Sequence, residues 1–212
     1  IGVRKVAVVH VDDSFGADGL QGARNGLKTA GLEPVAVAKF DRTKPDFAPL
    51  LPALQPAEPQ AVLIIGSGTA VVEGIRSLKA ARVGGQYLTL SNNASGGFIK
   101  LLGDQAQGVI VSQVMPASLN FGLVKEATQL AKAKGGDEVS PAMLEGFASA
   151  KVLVEGLRRA GAKPSRASLH QALDNLGRLD LGGLVLDYSP SDHTGLDFAD
   201  LSIVGTGGRF RR

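Results

Sequence analysis

The sequence predicts an α/β fold, a doubly wound parallel sheet with a helical portion added after residue 116. Two observations carry this expectation. Apolar runs of strand length alternate with helical periodicities as far as residue 114, and from Pro116 the pattern turns to helix upon helix before strand character returns late in the chain.

The elements follow in order. A continuous apolar run from Val6 to Val11 reads as a strand covered on both faces. Ser14 is expected to cap a helix in which Leu20, Ala23, Leu27 and Ala30 keep helical spacing; Gly31 ends it, and the segment from Pro34 to Ala38 begins the next strand, which makes a βαβ unit. A helix near residues 46–54 carries Pro49 and Pro52, with Pro56 beyond. Each proline removes an amide donor, so this helix is expected to be short, kinked or partly 3₁₀. There follow a strand over residues 61–65, a helix over 69–82, a strand over 87–90, a short helix over 97–102 and a strand over 109–114.

Beyond Pro116, Ser118 or Asn120 can cap a helix with Leu123, Val124, Ala127, Leu130 and Ala131 inward. Ser140 and Pro141 supply a cap and a first-turn proline for a second helix ending at Gly161, and a third spans 165–176. Strand character returns at 183–188 and 198–204, separated by the turn-rich segment 189–195. With a strand already under way near its first residues, the chain reads as one piece of a larger protein.

Composition narrows the function classes. The 212 residues are 44% apolar and 20% charged, enough to bury a sizeable core. Cysteine is absent, which excludes disulfides and thiolate metal sites and permits an oxidising compartment. The net charge is +3, basic residues are scattered apart from Arg209, Arg211 and Arg212, and there are two Tyr and no Trp, so nucleic acid is not an expected partner. No apolar run approaches the ~20 residues of a spanning helix. His10, His170 and His193 form no i, i+4 pair, and no Ser-His-Asp arrangement with an elbow motif occurs. Neither a metal, a cofactor nor catalysis is expected.

The polar residues that stand out lie at expected strand ends, where open α/β sheets place their ligands. After the first strand comes Asp12-Asp13-Ser14-Phe15-Gly16. Asp13 and Ser14 can simply cap the helix, whereas Phe15, an aromatic at the start of a helix, has no core to fill. Paired aspartates also suit a phosphoacceptor domain, but that chemistry needs another acid after the third strand, where Gly66 stands. There, Gly66-Ser67-Gly68-Thr69 offers amides and two hydroxyls to a polar group, or is a plain tight turn; it does not complete a dinucleotide-binding glycine pattern. Ser91-Asn92-Asn93 ends the fourth strand without a charge, and an Asn cap is its competing reading. Glu145 lies early in a long helix, where an acid is favoured by the dipole alone.

Several of these segments carry a resemblance. Lys5-Val-Ala-Val-Val-His10, the loop from Asp12 to Gly19 and Leu27-Lys-Thr-Ala-Gly31 look like the start of the second lobe of periplasmic leucine/isoleucine/valine-binding proteins, the substrate-binding components of ABC importers. Segments 46–50, 61–66, 108–116, 145–155 and 188–195 agree in the same order. Each is weak alone, and their shared order makes the match. It extends over nearly the whole chain but only about the last three-fifths of a usual family member.

The resemblance implies a two-lobed Venus-flytrap protein. Residues 1–115 and 180–212 would belong to lobe two and the helices of 116–179 to lobe one, whose remainder is absent, with crossings near 114–118 and 177–182. It further implies a periplasmic location with an export signal upstream, an ABC permease as partner and a small ligand, either an amino acid or an aromatic or aliphatic carboxylate. A ligand-sensing domain of a receptor or regulator with the same fold is the alternative. By the same comparison Phe15 takes the place of a ligand-covering aromatic, Ser67 falls where an aromatic contact is common, and Ser91 falls where amino-acid binders place the acid that neutralises the ligand's ammonium. A buried ammonium without a carboxylate is costly, so Ser91 disfavours an α-amino acid. Ligand contacts are thus expected from Ser14, Phe15, Ser67, Gly68, Thr69, Ser91, Asn92 and Glu145. The apolar faces bearing Leu123, Leu130, Phe147, Val154 and Leu157 would lack their lobe-one partner, so self-association of the isolated chain is also expected.

Overall fold

In the computed structural model, which describes residues 2–115, 121–136 and 139–211, strand β1 (Val6–Val11) lies between β2 (Ala36–Phe40) and β3 (Ala61–Ile65), parallel to both. Two further parallel strands, β4 (Gln86–Thr89) and β5 (Ile110–Gln113), extend the array beyond β3. Its helices are α1 (Ser14–Thr29), the single turn α2 (Leu51–Leu54), α3 (Gly68–Ala80) and α4 (Gly96–Leu102). The proline-bearing segment behaves as expected, with a 3₁₀ turn at Ala48–Leu50 running into α2.

Consecutive strand residues face opposite sides of a sheet, and Ile64 and Ile65 report which helix covers which. A Cβ placed on Gly19 of α1 would lie 2.7 Å from Ile65 Cγ2, and one on Gly74 of α3 would lie 3.4 Å from Ile64 Cδ1. The two helices therefore cover opposite faces, and Val8, Val9, Ile64 and Ile65 are wholly buried between them. The recurrent glycines of α1 divide into two kinds. Gly16 and Gly19 meet the sheet, a Cβ at Gly16 falling 1.8 Å from the Val11 carbonyl oxygen, whereas Gly22 and Gly26 face open space. On the α3 side, Phe40 and Phe47 stack with centroids 5.0 Å apart within a core that includes Leu54, Ile75 and Leu78.

The remaining helices are α5 (Gly122–Ala133), α6 (Pro141–Arg159) and α7 (Arg166–Asp174). Ser140 caps α6 by accepting from the Met143 amide, and Ser165 and Ser168 form a reciprocal capping box on α7. Ser118 and Asn120, expected as caps for α5, lie outside the described residues. After α7 come β6 (Gly177–Asp180), β7 (Val185–Ser189) and β8 (Asp192–Gly195), an antiparallel three-stranded sheet. Then β9 (Asp200–Val204) and β10 (Phe210–Arg211) complete a seven-stranded sheet of order β10-β9-β5-β4-β3-β1-β2.

The chain forms two compact units, Ile1–Gln113 with Leu201–Arg212, and Val114–Asp200. Segment 177–180 is a strand within the second unit, and segment 189–195, read as turn, contributes another. The reason is local: Asp180 Oδ1 accepts the amides of Gly182 and Gly183, both at positive φ, which folds β6 back onto β7. The expectation of bare helix faces is corrected in part by the same sheet. Leu123 is fully buried and Phe147 half-buried in a core with Leu144, Leu181, Leu184 and Leu186, while Leu130, Val154 and Leu157 are exposed.

Candidate ligand-binding site

At the carboxyl ends of the parallel strands, the chain leaves β1 for α1 on one face and β3 for α3 on the other. Adjacent strands whose connections part in this way open a crevice between them, the topological switch point of a doubly wound sheet. The loops that flank it are Asp12-Asp13 and Gly66-Ser67, two of the three singled out by the sequence.

Asp13 has an extended backbone and caps α1, its Oδ1 accepting from the Gly16 amide at 2.9 Å. Ser14 is the first helical residue rather than the cap, because the carboxylate preceding it already takes that amide. The other Asp13 oxygen accepts from Arg42 Nε at 2.8 Å and Nη2 at 2.5 Å. The Gly16 amide first, and then Arg42, hold the Asp13 carboxyl below its ordinary range. Arg42 follows β2 and reaches back across β1, so that its Nη1 also lies 3.3 Å from Ser67 Oγ at the end of β3.

The turn after β3 is braced from the neighbouring strand end. Asn93 is buried; its Nδ2 donates to the Gly66 carbonyl at 3.1 Å and to Thr89 Oγ1 at 2.9 Å, and its Oδ1 accepts the Gly68 amide at 2.9 Å. Asn92 donates to the same Gly66 carbonyl at 3.1 Å, and the Ser91 amide donates to Ser112 Oγ on β5 at 3.0 Å. Gly68 sits at φ +56°, so the turn demands glycine there. Its amide, expected to face a ligand, is spent inside the protein.

The fold thus brings Ser14, Phe15, Ser67, Gly68, Thr69, Ser91 and Asn92 to the ends of β1, β3 and β4 in one unit. Glu145 belongs to the other unit, exposed on α6. Phe15 is a large aromatic left 40% exposed. Sequence reasoning missed two residues. Arg42 looks like one more charge in a polar loop, and only strand order places it beside β1 and β3. Asn93 reads in the sequence as one of three polar strand-end residues, with a cap as the competing reading, whereas it braces the turn. Among the described residues no cluster of three or more His, Asp or Glu is positioned to hold a metal ion. The fold does bring His170 and His193 together, each against one oxygen of Asp174, at 2.9 and 3.1 Å.

A family model described as periplasmic binding protein matches residues 1–199. The chain belongs to the periplasmic binding protein family. Among solved periplasmic binding proteins and their relatives, a substrate-binding periplasmic protein from Ralstonia solanacearum is 30% identical with a TM-score of 0.84, over 99% of this chain and 61% of its own. A possible leucine/isoleucine/valine-binding protein from Rhodopirellula baltica SH 1 is 25% identical, with a TM-score of 0.81 over 100% of this chain and 60% of its own. An extracellular ligand-binding receptor from Verminephrobacter eiseniae is 26% identical, with a TM-score of 0.78 over 100% and 61%. The chain therefore spans about three-fifths of the length of these periplasmic binding proteins, and its mostly parallel first sheet is the family's fold in part.

Proposed function

We propose that the chain is the larger part of a solute-binding protein that serves an ABC importer, holding a small carboxylate or amino-acid-like molecule between two lobes and presenting the closed form to a membrane permease. The observation that carries this reading is the convergence of Phe15, Ser67, Ser91 and Asn92 with Arg42 on the switch-point end of the parallel sheet, in a member of the periplasmic binding protein family. An exposed aromatic beside hydroxyls and amides suits a small molecule with one apolar and one polar end. The role is binding without covalent chemistry, in a periplasmic or extracellular location. Titration calorimetry of the full-length protein against a panel of amino acids and of aromatic and aliphatic acids tests it: saturable heats with at least one class are expected, and silence across the panel overturns it.

A further inference from the structure

The strand-end cluster holds more charge than its sequence motifs disclose, and nearly all of it is already matched. Asp12 pairs with Lys39, Nζ to Oδ2 at 3.0 Å. Asp13 is taken by Gly16 and Arg42. Asp41 Oδ1 accepts from the Thr43 amide, the Thr43 hydroxyl and the Lys44 amide, which hold that carboxyl low. Two of these three carboxylates meet cations, Lys39 and Arg42, and the third is held by amides and a hydroxyl. The amides of Asn92 and Asn93 are committed to Gly66, and Ser91 brings no charge.

Arg42 is the exception. A guanidinium carries five N–H donors in a rigid fork, and three of these meet Asp13 and Ser67. Two remain without a partner among the described residues, on a side chain 49% exposed. Asp13 binds the Nε–Nη2 edge, which fixes the plane of the group, and one N–H on each of Nη1 and Nη2 is left open. The anchor is itself rigid, because Asp13 is tied to the first turn of α1. The two partners of the guanidinium sit at the ends of the strands that border the crevice.

We propose that Arg42 is the specificity-determining residue of this site, its free guanidinium N–H groups donating to a carboxylate of the ligand, with Asp13 as its positioning residue. This rests on the solute-binding reading and deepens it by naming the ligand class: an organic anion without a free ammonium group. A ligand ammonium would meet the guanidinium and, in Asp12 and Asp13, acids already paired with cations, whereas a carboxylate gains charge-assisted bonds to pre-oriented donors. Phe15 then supplies the apolar contact.

The test uses the full-length protein, with calorimetric titration of matched probes: benzoate against benzamide, and 4-methylpentanoate against leucine. Wild type is expected to prefer each acid over its partner. Arg42→Gln is expected to weaken acid binding by about 10- to 100-fold and to weaken benzamide far less. Arg42→Lys, which keeps the ion pair with Asp13 but lacks the second N–H edge, is expected to lose at least about tenfold, and it serves if the Gln variant does not fold. An acid preference that survives both substitutions overturns the proposal, as does tighter binding of leucine than of 4-methylpentanoate by wild type; both leave the solute-binding reading standing. Absence of binding to every probe and to the wider amino-acid and acid panel overturns that reading, and the role of Arg42 with it.

Discussion

Asp13 shows how one carboxylate serves both folding and the site. It caps α1 through Gly16 and anchors Arg42, and both partners favour its charged form. A carboxyl whose folded pKa lies below the ordinary 3.8 adds stability that is fully present above that value and is lost as pH falls through the folded one. Asparagine can cap but does not titrate. Urea unfolding of wild type and Asp13→Asn from pH 6 to pH 2 is therefore expected to show wild type more stable at the upper end, with the gap closing below 3.8. A gap constant across the range would exclude Asp13 as its source. At the end of β4, Ser91→Glu in the full-length protein adds a carboxylate near Ser112. It is expected to weaken binding of an ammonium-free acid at least about tenfold by like-charge repulsion. Unchanged affinity would place Ser91 outside the site.

Helix α1 tests the packing argument at the scale of an element. Gly16 lies so near the end of β1 that a methyl group would overlap the Val11 carbonyl, whereas Gly22 and Gly26 touch nothing within 4 Å. Gly16→Ala is expected to destabilise by about 1–3 kcal/mol or more through backbone displacement. Gly22→Ala and Gly26→Ala are each expected to stabilise by up to about 1 kcal/mol, because alanine has the better helix propensity and meets no neighbour. Denaturant midpoints of the three variants decide, and a common sign for all three would refute the division of these glycines into two kinds.

For the whole molecule, the decisive surface is the outer side of α6. Met143, Leu153, Val154 and Leu157 are exposed there, with Leu130 exposed on α5. Burying one such side chain contributes about 1.5–3 kcal/mol, so leaving several in water favours association. The chain of residues 1–212 alone is expected to scatter light above its 21.8 kDa monomer mass and to bind an apolar dye, and Leu153→Lys with Leu157→Glu is expected to restore the monomer. A wild-type chain that stays monomeric at high concentration and binds no dye would show that this surface drives no association.

Local pattern alone determined the first unit's element order: the apolar run of β1, the helical spacing of α1, the proline-shortened α2 and the alternation through β5. Strand ends follow from that alternation, so Phe15, Ser67 and Ser91 are legible as candidates in the sequence itself. What the sequence left open depends on partners distant along the chain. Segments 177–180 and 192–195 are polar and short, and become strands because the Asp180 turn brings β6 to β7 and the next turn brings β8. Arg42 carries no motif; only the order β3-β1-β2 lets its side chain span Asp13 and Ser67. Asn93 is buried by the turn that it braces, and the Gly68 amide is spent there. Periodicity reports which face of an element is buried, and it is silent about which loops the sheet order sets side by side; that was decided by strand pairing between segments twenty or more residues apart.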